Sequence, residues 1–284
     1  MSQTRAISPS PPPKPPEPVP KLLRDLVHEN TGTYFEPDRL DIMLEKLEPR
    51  VIATGCQSYL DYYYILKYDE RRAAEWLRVM DAFSVQETYF WREADQFRAL
   101  VNRIVPEWFQ KTSQPLRIWS AACATGEEPY SIVMALREAG FGDHPIEIVG
   151  SDASESALTK ARIAVYRDRA FRTMPLSLRE KYFELQPDGF ALRPEIKSRV
   201  RFSWVNLVAL EDVHDIPRPD VLFCRNVFIY FSPEMISQVV AAFAKRMSEG
   251  AKLCIGSSES LLKLTPQFDL EEIDKAFVYV RNKN

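Results

Sequence analysis

The sequence is poor in the residues that cross-link small folds or bind transition metals. Of its 284 residues, 4 are cysteine and 3 are histidine. The cysteines, Cys56, Cys123, Cys224 and Cys254, are scattered and form no Cys-x-x-Cys pair. We therefore predict neither a zinc site nor a disulfide framework, and no metal cofactor. Reduced thiols of this kind are typical of cytoplasmic proteins, so we expect a cytoplasmic location.

The sequence also lacks an excess of positive charge and a long apolar run. Its 37 Lys and Arg residues against 40 Asp and Glu residues give a net charge of -3. This balance provides no general attraction to nucleic acid or to an anionic membrane. The sequence contains no run of about 18 apolar residues, the length needed to span a bilayer, and its N-terminus lacks the apolar core of a signal peptide. We expect a globular protein, a monomer by default, that neither binds nucleic acid nor inserts into a membrane.

Glycine is scarce, with 9 residues, and the Gly-x-Gly-x-x-Gly fingerprint of dinucleotide-binding proteins is missing. Residues 118–131 nevertheless read as a buried strand that turns through small residues into a helix. A turn of this kind holds a nucleotide-like ligand in doubly wound sheets. Glu127 and Glu128 begin the helix, where carboxylates disfavour a phosphate. The pattern therefore favours a ligand that carries a cationic group and hydroxyls.

Composition and periodicity divide the chain into three parts. Residues 1–20 are rich in proline and predict a disordered tail, with a proline ligand for a partner domain as the less favoured interpretation. Residues 21–103 have helical periodicity and predict a small all-helical domain. From 104 to 284 strands and helices alternate, which predicts an α/β domain with a parallel, doubly wound sheet.

Two features modify this α/β domain. An antiparallel hairpin is predicted at 268–280, at one edge of the sheet, and residues 165–199 predict a small antiparallel β-subdomain inserted between sheet units. The predicted strands before the hairpin are 116–120, 146–151, 200–205, 221–224 and 252–255, and the predicted helices of this domain are 129–138, 154–164 and 233–247.

Polar side chains follow the predicted strands at the edge where open sheets bind ligands. Asp152 ends the second strand, where an acidic residue binds ribose hydroxyls in doubly wound folds; capping of the next helix is the alternative role. Asn206 with Leu207, and Arg225 with Asn226, follow two further strands. A single Asn in such a place is more often a turn residue, but several polar strand ends together favour a ligand site.

Five segments make the sequence similar to a known family. They are Gln86-Glu-Thr-Tyr-Phe-Trp-Arg-Glu93, Ala122-Cys-Ala-Thr-Gly-Glu-Glu-Pro-Tyr-Ser131, Ser151-Asp152, Asn206-Leu207 and Phe223-Cys-Arg-Asn-Val-Phe-Ile-Tyr-Phe231. In order and spacing they resemble the chemotaxis receptor methyltransferases, the CheR family. The resemblance runs from about Leu22 to the C-terminus and excludes the proline-rich tail.

The resemblance implies a class I S-adenosylmethionine-dependent methyltransferase fold, Rossmann-like, with the two additional domains predicted above. The implied enzyme is a protein-glutamate O-methyltransferase that acts on cytoplasmic helices of chemoreceptors and releases S-adenosylhomocysteine. By motif match, the cofactor-binding residues are Gln86, Thr88, Arg92, Glu127, Asp152, Asn206, Leu207, Arg225 and Asn226. Gln86 stands where many relatives carry Asn. Arg92 and Tyr230 match the two positions discussed as close to the transferred methyl group, and they are the predicted catalytic residues.

Three finer expectations follow from this resemblance. Glu127 is predicted to face the cofactor, with Glu128 as the weaker candidate. In some members the β-subdomain docks a receptor pentapeptide tether, but the segment 183–189 is shorter in this chain, so we expect recognition without a tether. The helical domain is the expected receptor-facing element, with basic residues Arg39, Lys46, Arg50, Arg71, Arg72 and Arg78 available to meet acidic helices.

Other functions remain open at this point. Arg92 in particular could be an ordinary surface arginine paired with Glu87 or Glu93. A methyltransferase for nucleic acid or small molecules is disfavoured, since the chain has no Asn-Pro-Pro-Tyr motif of base-flipping enzymes. A catalytically silent adaptor that keeps the fold and binds a signalling partner is the main alternative.

Overall fold

The computed structural model describes residues 12–283 and divides into two compact units, one ending at Phe83 and the other beginning at Ser84. Residues 1–11, the first half of the predicted proline-rich tail, lie outside the described residues. The first helix begins at Val19, just inside the end of that predicted tail. Among residues 12–283, no helix is both long and apolar enough to cross a membrane.

The N-terminal unit is helical, as its periodicity predicted. Its α-helices are α1 (Val19–Thr31), α2 (Leu40–Ala53), α3 (Tyr59–Tyr68) and α4 (Arg72–Phe83). The apolar residues at helical spacing form its core, which includes Leu23, Val27, Leu44 and Leu47. These positions are buried because each helix turns one apolar face towards the others.

A partly buried ion pair in this unit involves one of the predicted receptor-facing cations. Arg50 donates to both carboxylate oxygens of Glu75, at 2.9 and 2.8 Å, and the hydroxyl of Tyr62 donates to the same carboxylate at 2.6 Å. Glu75 and Tyr62 are buried. Arg50 therefore stabilises the helical unit, and its predicted contact with a receptor stays a prediction.

The second unit is built on a mixed seven-stranded sheet. Its strands are β1 (Leu116–Ala121), β2 (Ile146–Asp152), β6 (Val200–Trp204), β7 (Val221–Cys224), β8 (Lys252–Cys254), β9 (Phe268–Ile273) and β10 (Ala276–Arg281). The strand order is β6-β2-β1-β7-β8-β10-β9, with parallel pairing from β6 to β8 and antiparallel pairing of β10 with both neighbours. The predicted fold class, a doubly wound sheet closed by an antiparallel hairpin, is confirmed.

Helices cover both faces of this sheet. The longer ones are α7 (Glu127–Glu138), α8 (Glu155–Ile163) and α11 (Pro233–Arg246), and the shorter ones are α5 (Ala94–Ala99), α6 (Val105–Lys111), α9 (Leu176–Tyr182) and α10 (Pro194–Lys197). Two buried clusters form the core, one that contains Ile118 and Ile132 and one that contains Trp119 and Phe243. Ile118 and Trp119 are consecutive in β1, so their side chains point to opposite faces of the sheet, one into each cluster.

Residues 84–103 belong to the sheet unit, although their helical pattern placed them with the helical domain in the sequence analysis. Phe97 and Leu100 share a core with Ile118 of the central strand. A helical period shows that one face is buried but does not show which partner covers it. The segment therefore reaches the carboxyl edge of the sheet, where the predicted site lies.

The antiparallel lobe predicted within 165–199 is present. It consists of β3 (Val165–Tyr166), β4 (Phe183–Gln186) and β5 (Gly189–Leu192), in the order β3-β5-β4. Phe90 attaches this lobe to the segment 84–93, because its ring stacks on Phe171 at 5.3 Å and its backbone N–H donates to the Ala170 carbonyl at 2.8 Å. The lobe thus holds one wall of the candidate site.

Candidate active site

The turn after β1 adopts an unusual backbone conformation. Ala122, Ala124 and Gly126 have φ values of 54°, 49° and 91°, in the left-handed region. For alanine this conformation costs about 1 to 3 kcal/mol, so other contacts must hold it. Gly126 could not be replaced cheaply, since a Cβ atom there would lie 2.9 Å from the Ala161 side chain. The predicted small-residue turn after β1 therefore packs tightly against α8.

Asp152 holds this turn from the end of β2. Its Oδ2 accepts the Ala124 N–H at 2.9 Å and its Oδ1 accepts the Ser154 N–H at 2.8 Å. Ser154, not Asp152, caps α8, since the Ser154 hydroxyl accepts the Ala157 N–H at 3.1 Å. The buried carboxylate of Asp152 thus connects the turn after β1 to the turn after β2.

Glu127 and Glu128 begin α7 and point in different directions. Glu127 is only 4% exposed, and its Oε2 accepts the Thr125 hydroxyl at 2.7 Å. Burial raises its pKa to about 7, against the hydrogen bond from Thr125 and the charge of Lys160. Burial also raises the pKa of Glu128, and the charge of Arg225 opposes this shift. The Oε1 of Glu128 accepts the Ser120 hydroxyl at 2.6 Å.

Most of the predicted site residues line two clefts. One cavity is lined by Thr88, Arg92, Glu128, Arg225 and Asn226 together with the turn residues 122–124. A second, more open cleft is lined by Gln86, Thr88 and Glu127 together with Lys160, Arg167 and Arg169. Thr88 borders both. The structure therefore places Glu128 at the first cavity and Glu127 at the second cleft.

Asn206 and Leu207, like Asp152 and Tyr230, are not among the residues that line these two clefts. The Asn206 Oδ1 accepts the Val208 N–H at 3.2 Å and begins the 3-10 helix Leu207–Asp212. Leu207 is buried and lines a groove beside Met235 and Val239 of α11. Their predicted contact with the cofactor stays a prediction.

Arg225 is the charged centre of the first cavity. Its side chain is 2% exposed, its Nε lies 3.3 Å from Glu128 Oε2, and its Nη2 donates to the Arg92 carbonyl. The guanidinium carbon lies 5.2 Å from the centre of the Phe97 ring. Within the described residues, Nη1 has no hydrogen-bond partner. A buried guanidinium N–H is costly to leave unpaired, so this atom indicates a site for a carboxylate or another acceptor of a ligand.

Arg92 is not paired with the carboxylate of Glu87 or Glu93, the alternative that the sequence left open. Its Nη1 donates to the backbone carbonyl of Glu87 at 3.0 Å, and its guanidinium lies 5.4 Å from the Tyr89 ring centre. The Glu87 carboxylate pairs instead with Arg172 at 2.7 Å and with Arg169. Arg92 is thus oriented by its own segment and lines the cavity.

Tyr230 ends the 3-10 helix Phe228–Tyr230, which follows Arg225 and Asn226 in the chain. Burial raises the pKa of its hydroxyl, and the positive charge of Arg92 acts in the opposite direction. The two predicted catalytic side chains therefore lie close enough to interact electrostatically. Near neutral pH Tyr230 is protonated and can donate a hydrogen bond.

Two acidic residues connect the loops of the site: Glu259, which the sequence analysis missed, and Glu93, to which it gave no such role. Glu259, in the loop after β8, accepts backbone N–H groups of Asn226 and Phe228 at 2.8 and 2.7 Å. Glu93 accepts the Ser257 N–H at 3.1 Å and its hydroxyl at 3.2 Å. No spacing rule marks Glu259, since it lies far from the segment that it contacts. In the described part of the chain, no group of His, Cys, Asp and Glu side chains is placed to hold a metal ion.

The class I S-adenosylmethionine-dependent methyltransferases are defined by a parallel sheet that ends in an antiparallel hairpin. Their ligand-binding turn follows the central strand of that sheet. Comparison with protein families agrees with this class. The family described as "CheR methyltransferase, SAM binding domain" matches residues 86–277, and "CheR methyltransferase, all-alpha domain" matches residues 21–84. The chain belongs to the CheR methyltransferase family, and its cofactor is S-adenosylmethionine.

Full-length relatives agree with this family. The chain is 33% identical over 263 residues to chemotaxis protein methyltransferase 2 of Vibrio cholerae serotype O1, with 91% of each chain covered. It is 34% identical over 267 residues to chemotaxis protein methyltransferase 1 of Pseudomonas aeruginosa, which covers 91% of this chain and 96% of that protein. It is 31% identical to the chemotaxis protein methyltransferase of Salmonella typhimurium over 88% of this chain and 86% of that protein.

The environment of Glu127 predicts that cofactor affinity depends on pH. With a pKa raised to about 7, the carboxyl is partly protonated in the free protein at neutral pH, and the cationic cofactor group predicted beside it would favour its ionised form. Affinity should therefore fall as the pH drops below about 7, because binding must then release a proton. Calorimetric titrations with S-adenosylmethionine in buffers of different ionisation enthalpy should detect that proton. Glu127→Gln should abolish the release, and an unchanged release in this variant would contradict a contact between Glu127 and the cofactor.

Proposed function

We propose that the protein methylates glutamate side chains on the cytoplasmic helices of chemoreceptors and thereby serves adaptation in chemotaxis. The products are a glutamate methyl ester and S-adenosylhomocysteine. The observation that carries the proposal is the match to chemotaxis protein methyltransferases over 91% of the chain. In this proposal the enzyme acts in the cytoplasm as a monomer.

The charges of the site fit a cofactor that carries both signs. The unpaired Nη1 of Arg225 supplies a donor for the carboxylate of the amino-acid end. Glu128, at the cavity of Arg225, and Glu127, at the neighbouring cleft, supply carboxylates for the amino and sulfonium groups. By the family resemblance we propose Glu127 as the one that binds the cofactor more strongly. Asp152, at the end of β2, supplies the acceptor for the ribose hydroxyls. Glu127→Gln should therefore lower the affinity for the cofactor more than Glu128→Gln does, and equal losses of affinity would refute this ranking.

The chemistry needs orientation rather than a general base. Bound S-adenosylmethionine supplies a methyl carbon activated by an adjacent sulfonium. A substrate glutamate, with an ordinary pKa of about 4.3, is already ionised at neutral pH, so no group has to remove a proton. Arg92 and Tyr230 then hold the carboxylate in line with the methyl carbon and exclude water. Positioning of this kind contributes up to about 7 to 11 kcal/mol in enzymes.

The hydroxyl of Tyr230 provides a direct test of this mechanism. We expect Tyr230→Phe to lower kcat by about 10- to 100-fold, the loss of a hydrogen bond to a charged carboxylate. Its dissociation constant for S-adenosylhomocysteine should stay within about twofold of the wild-type value, since the phenyl ring is retained. Single-turnover methyl transfer and calorimetry measure the two quantities. Full turnover in this variant would exclude a catalytic part for the hydroxyl.

The proposed reaction is tested with labelled S-adenosylmethionine and membranes that carry candidate chemoreceptors. Label that becomes attached to the receptor and is released by mild base identifies a carboxyl methyl ester. A receptor whose methylated glutamates are replaced by alanine is the control and should take up no label. Cofactor binding without transfer to any receptor would support the adaptor alternative instead.

The short hairpin of the β-subdomain leads to a second expectation about the substrate. Between β4 (Phe183–Gln186) and β5 (Gly189–Leu192) the turn contains just residues 187 and 188. We propose that receptor recognition does not require a C-terminal pentapeptide tether. Methylation of a receptor should then be equally fast with and without its last five residues. Tight binding of a free pentapeptide in calorimetry would contradict this expectation.

A further inference from the structure

The carboxylate of Glu259 accepts an unusual set of hydrogen bonds. Its Oε2 accepts the N–H groups of Asn226 and Gly256 at 2.8 and 2.6 Å, and its Oε1 accepts the N–H of Phe228 at 2.7 Å. All three donors are backbone groups from two different loops. Hydrogen bonds to an ionised acceptor are stronger than neutral ones, so this single side chain connects the loop after β7 to the loop after β8.

The loop after β7 needs such support. Asn226 has a φ of 59°, in the left-handed region that is unfavourable for a residue with a side chain. Arg225 precedes it, and the 3-10 helix that ends in Tyr230 follows it. The N–H groups of Asn226 and Phe228 therefore hold both sides of the turn that separates Arg225 from Tyr230.

Gly256 shows how closely the two loops approach. A Cβ atom on this residue would lie 2.6 Å from Asn226 Nδ2 and 2.8 Å from Glu259 Oε2. Contacts below about 3 Å require a neighbour to move. Glycine at this position therefore lets the backbone donate to Glu259 while the Asn226 side chain passes directly beside it.

We propose that Glu259 is a positioning residue of the methyltransferase site. It holds Arg225 and Asn226 at the cofactor cavity and the 3-10 helix in place for Tyr230, without itself contacting the cofactor. This inference rests on the proposed roles of Arg225, Asn226 and Tyr230. It adds a residue from outside all the segments that the sequence analysis singled out.

The test compares Glu259→Gln with Glu271→Gln, the same substitution at an exposed position on β9. An amide can direct its oxygen to one side of the donor set, and its NH₂ group then faces the donors on the other side. We expect Glu259→Gln to lower kcat and to weaken S-adenosylhomocysteine binding, each by about tenfold or more, the loss of a hydrogen bond to a charged group. The KM for the receptor should stay within about twofold of wild type, and Glu271→Gln should match the wild-type protein in every measurement.

Calorimetric stoichiometry separates positioning from folding. A positioning role predicts one site per chain with a weaker dissociation constant. A merely structural role predicts fewer competent molecules, each with the wild-type dissociation constant, and this result would overturn the proposal. Wild-type kcat and affinity in folded Glu259→Gln would overturn it equally.

Gly256→Ala is a second variant, for use if Glu259→Gln does not fold. Its added methyl group should push Asn226 and the loop after β7 away from Glu259. It should also weaken S-adenosylhomocysteine binding, and wild-type affinity in this variant would overturn the proposal. Failure of the wild-type enzyme to bind the cofactor or to methylate any receptor would refute the proposed function itself. The inference about Glu259 depends on the ratio of variant to wild type, so the two failures are distinguishable.

Discussion

Replacement of Arg225 by methionine is expected to weaken cofactor binding by more than about 100-fold and to destabilise the protein by about 3 to 5 kcal/mol. The affinity falls because Arg225 lines the cavity and its Nη1, which has no hydrogen-bond partner among the described residues, is lost as a donor. The stability falls because Glu128, which lies 3.3 Å from the buried Arg225, is left as a half-buried carboxylate without its cationic partner. Calorimetry with S-adenosylhomocysteine and urea unfolding measure the two effects.

Two further variants separate these effects. Arg225→Met combined with Glu128→Gln removes the uncompensated charge, so it should recover most of the stability but none of the affinity. Arg281→Met removes a second buried arginine of the same sheet, which donates to the Ala244 carbonyl at 3.2 Å, away from the cavity. It should lower stability and leave cofactor affinity unchanged. Cofactor affinity within about threefold of wild type in Arg225→Met would show that this residue does not bind the ligand.

Replacement of Asp152 by alanine is expected to weaken cofactor binding by about 100-fold, the equivalent of about 2.7 kcal/mol. The variant loses the acceptor proposed for the ribose hydroxyls and also the bond that holds the Ala124 N–H at 2.9 Å. Without that bond the turn after β1, with its left-handed alanines, relaxes from the conformation that approaches the ligand. Asp152→Asn keeps one acceptor oxygen and should show a smaller loss, about tenfold.

Ser154→Ala is the control for Asp152. This change removes the cap of α8, a bond of 3.1 Å to the Ala157 N–H, and should cost about 1 kcal/mol of stability. It leaves the turn after β1 untouched, so cofactor affinity should not change. If Ser154→Ala lowers cofactor affinity as much as Asp152→Ala does, then Asp152 acts through α8 and does not bind the ribose directly.

The strands and helices of the sheet unit could be predicted because their sequence patterns are strong. Residues 221–224, for example, form a short apolar run before polar residues, and they become β7, which is buried at every position. A parallel strand covered on both faces has no polar alternation, so a continuous apolar run identifies it. The assignment of residues 84–103 was less successful, since the same helical pattern is compatible with packing on either unit.

The site was predictable at the level of segments but not of contacts. Glu127 and Glu128 are adjacent in the sequence, yet successive residues of a helix point about 100° apart. Glu127 therefore lies at one cleft beside Thr125, and Glu128 at the other beside Arg225. Arg50 likewise looked like an exposed cation, although it pairs with a buried glutamate.

The sequence by itself determined the order of the elements, the class of fold and the family, because apolar periodicity and short motifs are properties of neighbouring residues. It also located the turn after β1, the acidic end of β2 and the Arg225-Asn226 pair. Only the tertiary structure decided which charges meet: Arg225 with Glu128, Asp152 with Ala124, and Glu259 with the loop after β7. The physical reason is that these bonds join residues from different strands and loops, and their partners are chosen by the packing of the sheet.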